Sequence, residues 1–388
     1  MKSNYDLLGN HIRLVDSRNS DSITDKVLGI NIDKYFMPSV ANVIGTDLSK
    51  YKLLSKGVFA CNPMHVGRDE RLPVALYTEE TPAIVSPAYF MFEIADKTVL
   101  NADFLMMWFR RPEFDRECWF KTDGSVRGGI TWDDICRIEL PVPPYEKQTE
   151  IVESYRAITE RIKLKRAIND NLEATALSLF KSWFIDYEPF ELDEAGVPLG
   201  WNIVTLEKKL TTSTQSVNPQ KIQRDFVWHY SIPAFDSEKL PTSDIPTAIL
   251  SNKYSVPDNA ILVSKLNPDT KRIWRSMNCF EDAICSTEFI VFTPNEPSHR
   301  AFYYLLFNTK DFIDFLVSNA TGSTNSRMRV KPASSLDYEF ICPEDHVIEQ
   351  FCLEVEPLLA RIERNNLEIR KLKELIPLAV AKMMTSSR

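Results

Sequence analysis

The sequence predicts an α+β chain of two α/β domains, each followed by one long helix. Two observations carry that reading: the chain repeats itself at an offset of about 200 residues, and two long amphipathic stretches share the phase of the repeat. At 388 residues the chain is too long for one ordinary hydrophobic core, so two domains plus connecting elements is the natural division. The expected order is a first domain over 1–143, a helix over 144–188, a second domain over 189–343 and a second helix over 344–388.

The repeat is visible first in strand-like segments. Ala83-Ile84-Val85-Ser86, followed by Tyr89 and Phe92, returns as Ala283-Ile284-Cys285-Ser286, followed by Phe289 and Phe292. Both segments are short, apolar and rich in branched and aromatic residues, which suit a pleated, half-buried surface. Phe104, Phe109 and Phe114 recur as Phe302, Phe307 and Phe312 in segments of helical character. Each half then carries a Gly-Ser turn, Gly124-Ser125 or Gly322-Ser323, and an exit strand that reaches Pro143 or Pro343.

After each of those prolines the apolar positions step alternately by three and four, the seam of a coiled coil. The first seam runs through Ile151, Tyr155, Ile158, Ile162 and Leu172, the second through Phe351, Val355, Leu358, Ile362, Ile369 and Leu372. Lys165 and Asn169 interrupt one seam and Asn365 the other, as expected where a buried polar group fixes pairing at some cost in stability. Pro357 and Pro377 predict a kinked or fraying second helix, because proline removes a backbone donor and clashes with the preceding turn. Asp186 to Gly200, with Pro189, Gly196 and Pro198, reads as the linker before Trp201 opens the second domain.

With 44% hydrophobic and 26% charged residues the composition is that of a globular protein, and no apolar run approaches the roughly 20 residues that span a bilayer. Met1 to Asp6 lacks the apolar stretch of a secretory signal, so a cytoplasmic location is expected. The seven cysteines are scattered and never spaced C-x-x-C, which predicts buried reduced thiols rather than a zinc site or a disulfide framework. A net charge of -8 opposes phosphate attraction over the whole surface, so any nucleic-acid face must be local or shared with a partner.

Catalytic loops are missing where they are sought. Val142-Pro143-Pro144-Tyr145 resembles the loop of amino-methyltransferases, but Val142 cannot accept a hydrogen bond from a target amine as Asp or Asn would. No strand followed by a Gly-rich turn is present to hold S-adenosylmethionine. Pro257-Asp258 followed by Val263-Ser264-Lys265 lacks the second carboxylate of a nuclease metal site, and no G-x-x-x-x-G-K-[ST] loop exists for a nucleoside triphosphate. The five histidines, His11, His65, His229, His299 and His346, do not pair at ligand spacing. No metal and no intrinsic catalysis are expected.

Taken together, several strings resemble the specificity subunit of type I restriction-modification enzymes over nearly the whole chain. In the first domain these are Leu14-Val15-Asp16-Ser17-Arg18-Asn19, Asn62-Pro63-Met64-His65-Val66-Gly67-Arg68 and Ser125-Val126-Arg127-Gly128-Gly129-Ile130. In the second they are Leu262-Val263-Ser264-Lys265-Leu266-Asn267-Pro268, Cys285-Ser286-Thr287-Glu288-Phe289 and Thr321-Gly322-Ser323-Thr324. The resemblance implies two target-recognition domains, each reading one half of an asymmetric, interrupted site in double-stranded DNA. It also implies two helices packed as an antiparallel coiled coil with pseudo-two-fold symmetry, a non-catalytic spacer. Two methyltransferase subunits bringing S-adenosylmethionine and two ATP-driven nuclease subunits needing Mg would complete the machine in a bacterial or archaeal cytoplasm. Pro377-Leu378-Ala379-Val380-Ala381-Lys382 is looser than the Leu-rich ending this family implies.

Sequence readout needs Arg, Lys, Asn or Gln on loops that reach a groove. The candidates are Asn62, His65, Arg68, Arg71 and Arg127 in the first domain. In the second, Lys265, Asn267, Lys271, Arg272 and Arg275 form one basic loop, and Arg327, Arg329 and Lys331 another. Arg68 and Arg71 bracket Asp69 and Glu70, so a solvated ion-pair cluster is a competing reading there, as an ordinary solvated turn is for the last loop. Base and phosphate contacts are not separable at this level. The alternative function is a coiled-coil adaptor whose two domains bind protein, which the duplication fits but the basic, Asn-containing loops do not.

Overall fold

The computed structural model describes residues 5–41, 45–64, 66–122, 128–322 and 328–385, the last four of these by backbone alone. The chain divides into two compact units, residues 1–161 with 372–388 and residues 162–371. Each unit therefore contains part of both long helices, Tyr145–Phe184 and Asp345–Thr385.

In the first unit a four-stranded antiparallel sheet carries strands β1 (Ile12–Leu14), β2 (Phe59–Cys61), β3 (Val74–Leu76) and β4 (Phe90–Ile94) in the order β1-β4-β2-β3. Phe59 faces Phe92 across the ladder, their rings stacked 5.1 Å apart, and both are fully buried. Helices Ala102–Phe109 and Pro112–Phe120 cover this face. The first is capped by Asn101, whose side chain accepts from the amides of Asp103 and Phe104. Gln148, buried on the long helix, donates to the Val99 and Pro143 carbonyls and accepts from the Asn101 amide, tying the start of that helix to the domain.

The second unit repeats this order. Strands β5 (Leu210–Ser213), β6 (Ile261–Ser264), β7 (Ile273–Arg275) and β8 (Phe289–Pro294) lie as β5-β8-β6-β7, all antiparallel, with helices Arg300–Phe307 and Lys310–Ser318 against them. A five-stranded sheet that includes Lys253–Ser255, Ile284–Cys285 and Val227–Tyr230 supports the other side of β6 and β8 through Tyr230, Leu262, Trp274 and Val291. In both units the opening strand pairs antiparallel with the strand that leads into a long helix. Tyr5–Leu7 pairs with Glu139–Pro141, and Asn202–Thr205 with Glu339–Cys342.

The two long helices pack together, and their direction is fixed within the second unit. Phe351 meets Phe180 at 5.9 Å and Phe184 at 4.7 Å, while Asn365 meets Lys165 and Asn169, so the helices run antiparallel. Every seam residue named above is buried or half-buried. The polar interruptions face one another: Lys165 Nζ donates to Asn365 Oδ1 at 3.1 Å and lies 2.7 Å from a Glu368 carboxylate oxygen. Asn365 Nδ2 donates to Asn169 Oδ1 at 2.8 Å, and Asn169 Nδ2 to Asn366 Oδ1 at 2.8 Å. Asn365 is 1% exposed, so this ladder satisfies polar groups that would otherwise be costly to bury.

Helix Asp345–Thr385 continues through both Pro357 and Pro377. Both prolines are exposed, so the carbonyls they release from the helix ladder can reach water.

Replacing Asn365 by Leu leaves Lys165 and Asn169 without one partner each inside the seam. The expected outcome is a loss of about 1–3 kcal/mol, read as a lower urea midpoint at unchanged slope.

Candidate nucleic-acid interface

In the first unit β2 ends at Cys61 and the chain leaves the sheet through Asn62-Pro63. Asn62 Oδ1 accepts from the Met64 amide, and its own amide donates to the Pro73 carbonyl, so the turn is held at both ends. A helical turn, Val66–Asp69, follows. The Gly67 amide donates to the Gly128 carbonyl at 2.9 Å and the Ile130 amide to the Pro63 carbonyl at 3.1 Å. A Cβ on Gly129 would sit 3.0 Å from the Pro63 carbonyl oxygen, tight enough that a larger residue would push the two loops apart by a few tenths of an ångström, so this approach favours glycine. Asn62 and Arg68 are thereby brought beside the Gly128–Ile130 segment, while His65 and Arg127 lie outside the described residues.

Arg68 is exposed and held side-on by Asp69, with Nε and Nη2 at 2.6 and 2.9 Å from the two carboxylate oxygens, which raises its pKa further. Arg71 turns elsewhere, to Asp33 at 3.2 Å. Below it Lys34 is buried against Asp115 at 2.6 Å and the Leu72 carbonyl at 2.8 Å. Burial is what lowers the Lys34 pKa, and the Asp115 carboxylate opposes it. The expected ion-pair character of this basic cluster is present, but Arg68 and Arg71 belong to two different pairs.

In the second unit the two basic loops, more than fifty positions apart in sequence, form one ladder. The Asn267 amide donates to the Met328 carbonyl at 2.8 Å and its side chain accepts from the Met328 amide at 3.1 Å. Asn267 sits at a φ of 48°, a left-handed conformation that asparagine tolerates. The Val330 amide donates to the Lys265 carbonyl, the Lys265 amide to the Glu288 carbonyl, and Thr321 and Arg329 exchange both backbone bonds. Lys265, Asn267, Arg329 and Lys331 are thus assembled on one rigid backbone frame, with Lys331 exposed at the entrance to helix Pro332–Ser335. Arg327 lies outside the described residues.

Three basic residues of the first loop are not part of this frame. Lys271 is exposed, whereas Arg272 is clamped to Asp236 at 2.7 and 3.0 Å and is largely covered. Arg275 is 9% exposed on β7 and turned to the long helix, where it pairs with Glu356 and, at 3.1 Å, with Glu363. Burial pushes the Glu363 carboxyl above its usual range, and Arg275 opposes that shift. β7 pairs with β6 as β3 pairs with β2, and the position matching Arg275 in the first sheet is Leu76, half-buried against the core; nothing in the local sequence distinguishes a reading arginine from this strut.

Glu288 was not anticipated. Arg329 Nε and Nη2 donate to its two carboxylate oxygens at 3.0 and 3.1 Å, across a separation that no local pattern links. The assembled groups are hydrogen-bond donors and cations, suited to phosphates and base edges. Burial pushes the Cys61 and Cys285 thiols up to about 12, so neither is a ready nucleophile. Among the described residues no cluster of three or more His, Cys, Asp or Glu could hold a metal ion, and no helix is long and apolar enough to cross a membrane.

No protein-family model matches the chain. It is similar to the type I restriction enzyme MjaIX specificity subunit of Methanocaldococcus jannaschii, 23% identical over 275 residues, 65% of this chain and 62% of that protein. It is also similar to the type I restriction enzyme HindI specificity subunit of Haemophilus influenzae, 24% identical over 194 residues, 49% of this chain and 41% of that protein. The chain thus spans less than two thirds of the length of these curated relatives. Its fold is shared with the S subunit of the type I restriction-modification system from M. genitalium, with a TM-score of 0.61 at 12% identity over 98% of this chain and 96% of the other.

The contrast between Arg275 and Arg329 is testable on stability alone. Arg275→Ala should cost about 3 kcal/mol, because Glu363 loses its cation while partly buried. Arg329→Ala, at an exposed ion pair, should cost less than about 0.5 kcal/mol in the same urea titration.

Proposed function

We propose that this chain is the DNA sequence-recognition subunit of a type I restriction-modification enzyme. The observation that carries the reading is the duplicated one: in each unit the loop leaving the second sheet strand is hydrogen-bonded to a distant return segment, and the junction bears asparagine and arginine. Residues 1–143 and 189–343 each read one half of a bipartite, asymmetric site, and the paired helices set the gap between the halves and dock methyltransferase subunits. The similarity to two specificity subunits supports this. A protein-binding adaptor does not need basic loops braced in this way.

The chain is non-catalytic in this reading and carries no cofactor. Two methyltransferase subunits supply S-adenosylmethionine and methyl transfer, and two nuclease subunits supply ATP-driven translocation and cleavage with Mg, all in the cytoplasm. Asn62, Arg68, Arg71, Lys265, Asn267, Lys271, Arg329 and Lys331 are the residues proposed to touch DNA among those described, joined by His65, Arg127 and Arg327; Arg272 and Arg275, covered by their ion pairs, would reach it only if those pairs open. Because the net charge is -8, tight binding draws on the partners' contacts with phosphates as well.

Co-expression with a type I methyltransferase subunit, followed by methylome sequencing, should reveal one bipartite motif that disappears when this chain is omitted. Absence of any motif overturns the reading.

Inserting one heptad into each long helix, after Arg161 and after Lys371, keeps both seams in phase and lengthens each helix by roughly 10 Å. The unread gap of the methylated motif should grow by up to about 3 base pairs with both half-sites unchanged. An altered half-site with an unchanged gap would show that the helices read bases instead of spacing the readers.

A further inference from the structure

We propose that Arg329 reads one guanine through the outer edge of its guanidinium, and that Glu288 is the positioning residue that holds it ready. This rests on the second domain being a DNA reader. A guanidinium is planar and has two hydrogen-bonding edges, one formed by Nε and an Nη, the other by both Nη groups. Glu288 occupies the first edge with both of its oxygens, at 3.0 and 3.1 Å. Among the described residues nothing accepts from the second edge, and the Arg329 side chain is 46% exposed. That second edge has the spacing of the paired acceptors O6 and N7 that guanine alone presents in the major groove.

What separates Arg329 from Arg68 and Arg272, the other candidates that a carboxylate clamps side-on, is its bracing. Its amide and carbonyl both bond to Thr321, and it bridges to Leu266 on the other side. The Lys265 backbone joins the arginine to its clamp: its carbonyl accepts from the Val330 amide and its amide donates to the Glu288 carbonyl. The Glu288 amide donates to Ser286 Oγ at 3.2 Å. Arg68 has only its chain neighbour Asp69 for a clamp, and Arg272 is largely covered. A phosphate anchor needs charge and little orientation, whereas a side chain oriented in advance lowers the ordering cost of a planar, two-bond contact.

The experiment uses the full chain co-purified with a methyltransferase partner. Its methylation motif is read by sequencing, and duplexes are then prepared with 7-deazaguanine replacing each guanine in turn. For the unmodified chain, one such replacement in the half-site of the second domain should weaken binding about tenfold, because the N7 acceptor is lost while O6 remains. Arg329→Ala should erase that sensitivity and leave the other half-site intact. Glu288→Gln should keep guanine as the preferred base but reduce the discrimination, with melting temperature unchanged. Three results overturn the proposal: full discrimination retained by Arg329→Ala, a second half-site with no guanine, or tighter binding of Glu288→Gln to every duplex, which would make Glu288 a screening charge. If the unmodified chain yields no motif at all, it is the assignment of the domain as a reader that fails.

Discussion

The contact on which most of the second unit depends is the polar ladder of Lys165, Asn169, Asn365 and Asn366. Apolar seams tolerate slippage, because a shift by one heptad places leucine or isoleucine opposite leucine or isoleucine again. Here a shift by one heptad would set Lys165 against Leu358 or Leu372, leaving an ammonium group and two amides buried without partners. The penalty selects one register. From that register follows the meeting of Phe180 and Phe184 with Phe351, and from it the aromatic nucleus with Trp201 and Phe302 on which the second sheet's helices rest.

Periodic signals made much of this fold legible in the sequence. The seam residues are buried or half-buried, and strands occur at Ala83–Val85 and Ile284–Cys285 where branched residues cluster. What was not legible is what depends on a partner far along the chain. Arg272 and Arg275 stand in a loop-like basic run, yet Asp236 and Glu356 take them out of it. Arg71 stands in one short run with Asp69 and Glu70, yet its ion-pair partner is Asp33, 38 positions away. The union of the two basic loops in the second unit rests on backbone bonds, and such bonds leave no mark on residue identity.

In the proposed role an acidic chain needs its cations placed rather than abundant. Among the described residues, the exposed arginines of the two junctions, Arg68 and Arg329, are each countered by a carboxylate, Asp69 or Glu288, so the local field toward phosphates is weak until the guanidinium meets a better acceptor. Such pairs are worth little to stability at the surface, which is compatible with a role in orienting side chains. Arg275 shows the opposite use of the same chemistry, as a covered brace between sheet and helix.

The pairing of each domain's opening strand with its closing strand has a consequence for how such a chain can change over time. Tyr5–Leu7 lies beside Glu139–Pro141, and Asn202–Thr205 beside Glu339–Cys342, so the point where the chain enters a domain and the point where it leaves are hydrogen-bonded neighbours. A stretch of gene bounded at those two places encodes a cassette whose ends already meet. Recombination between related genes can replace the whole cassette while the helices keep their register, provided that the incoming domain matches the short ladder and the helix residues it packs on, such as Gln148 and Phe351. New combinations of domains can then arise by shuffling intact cassettes.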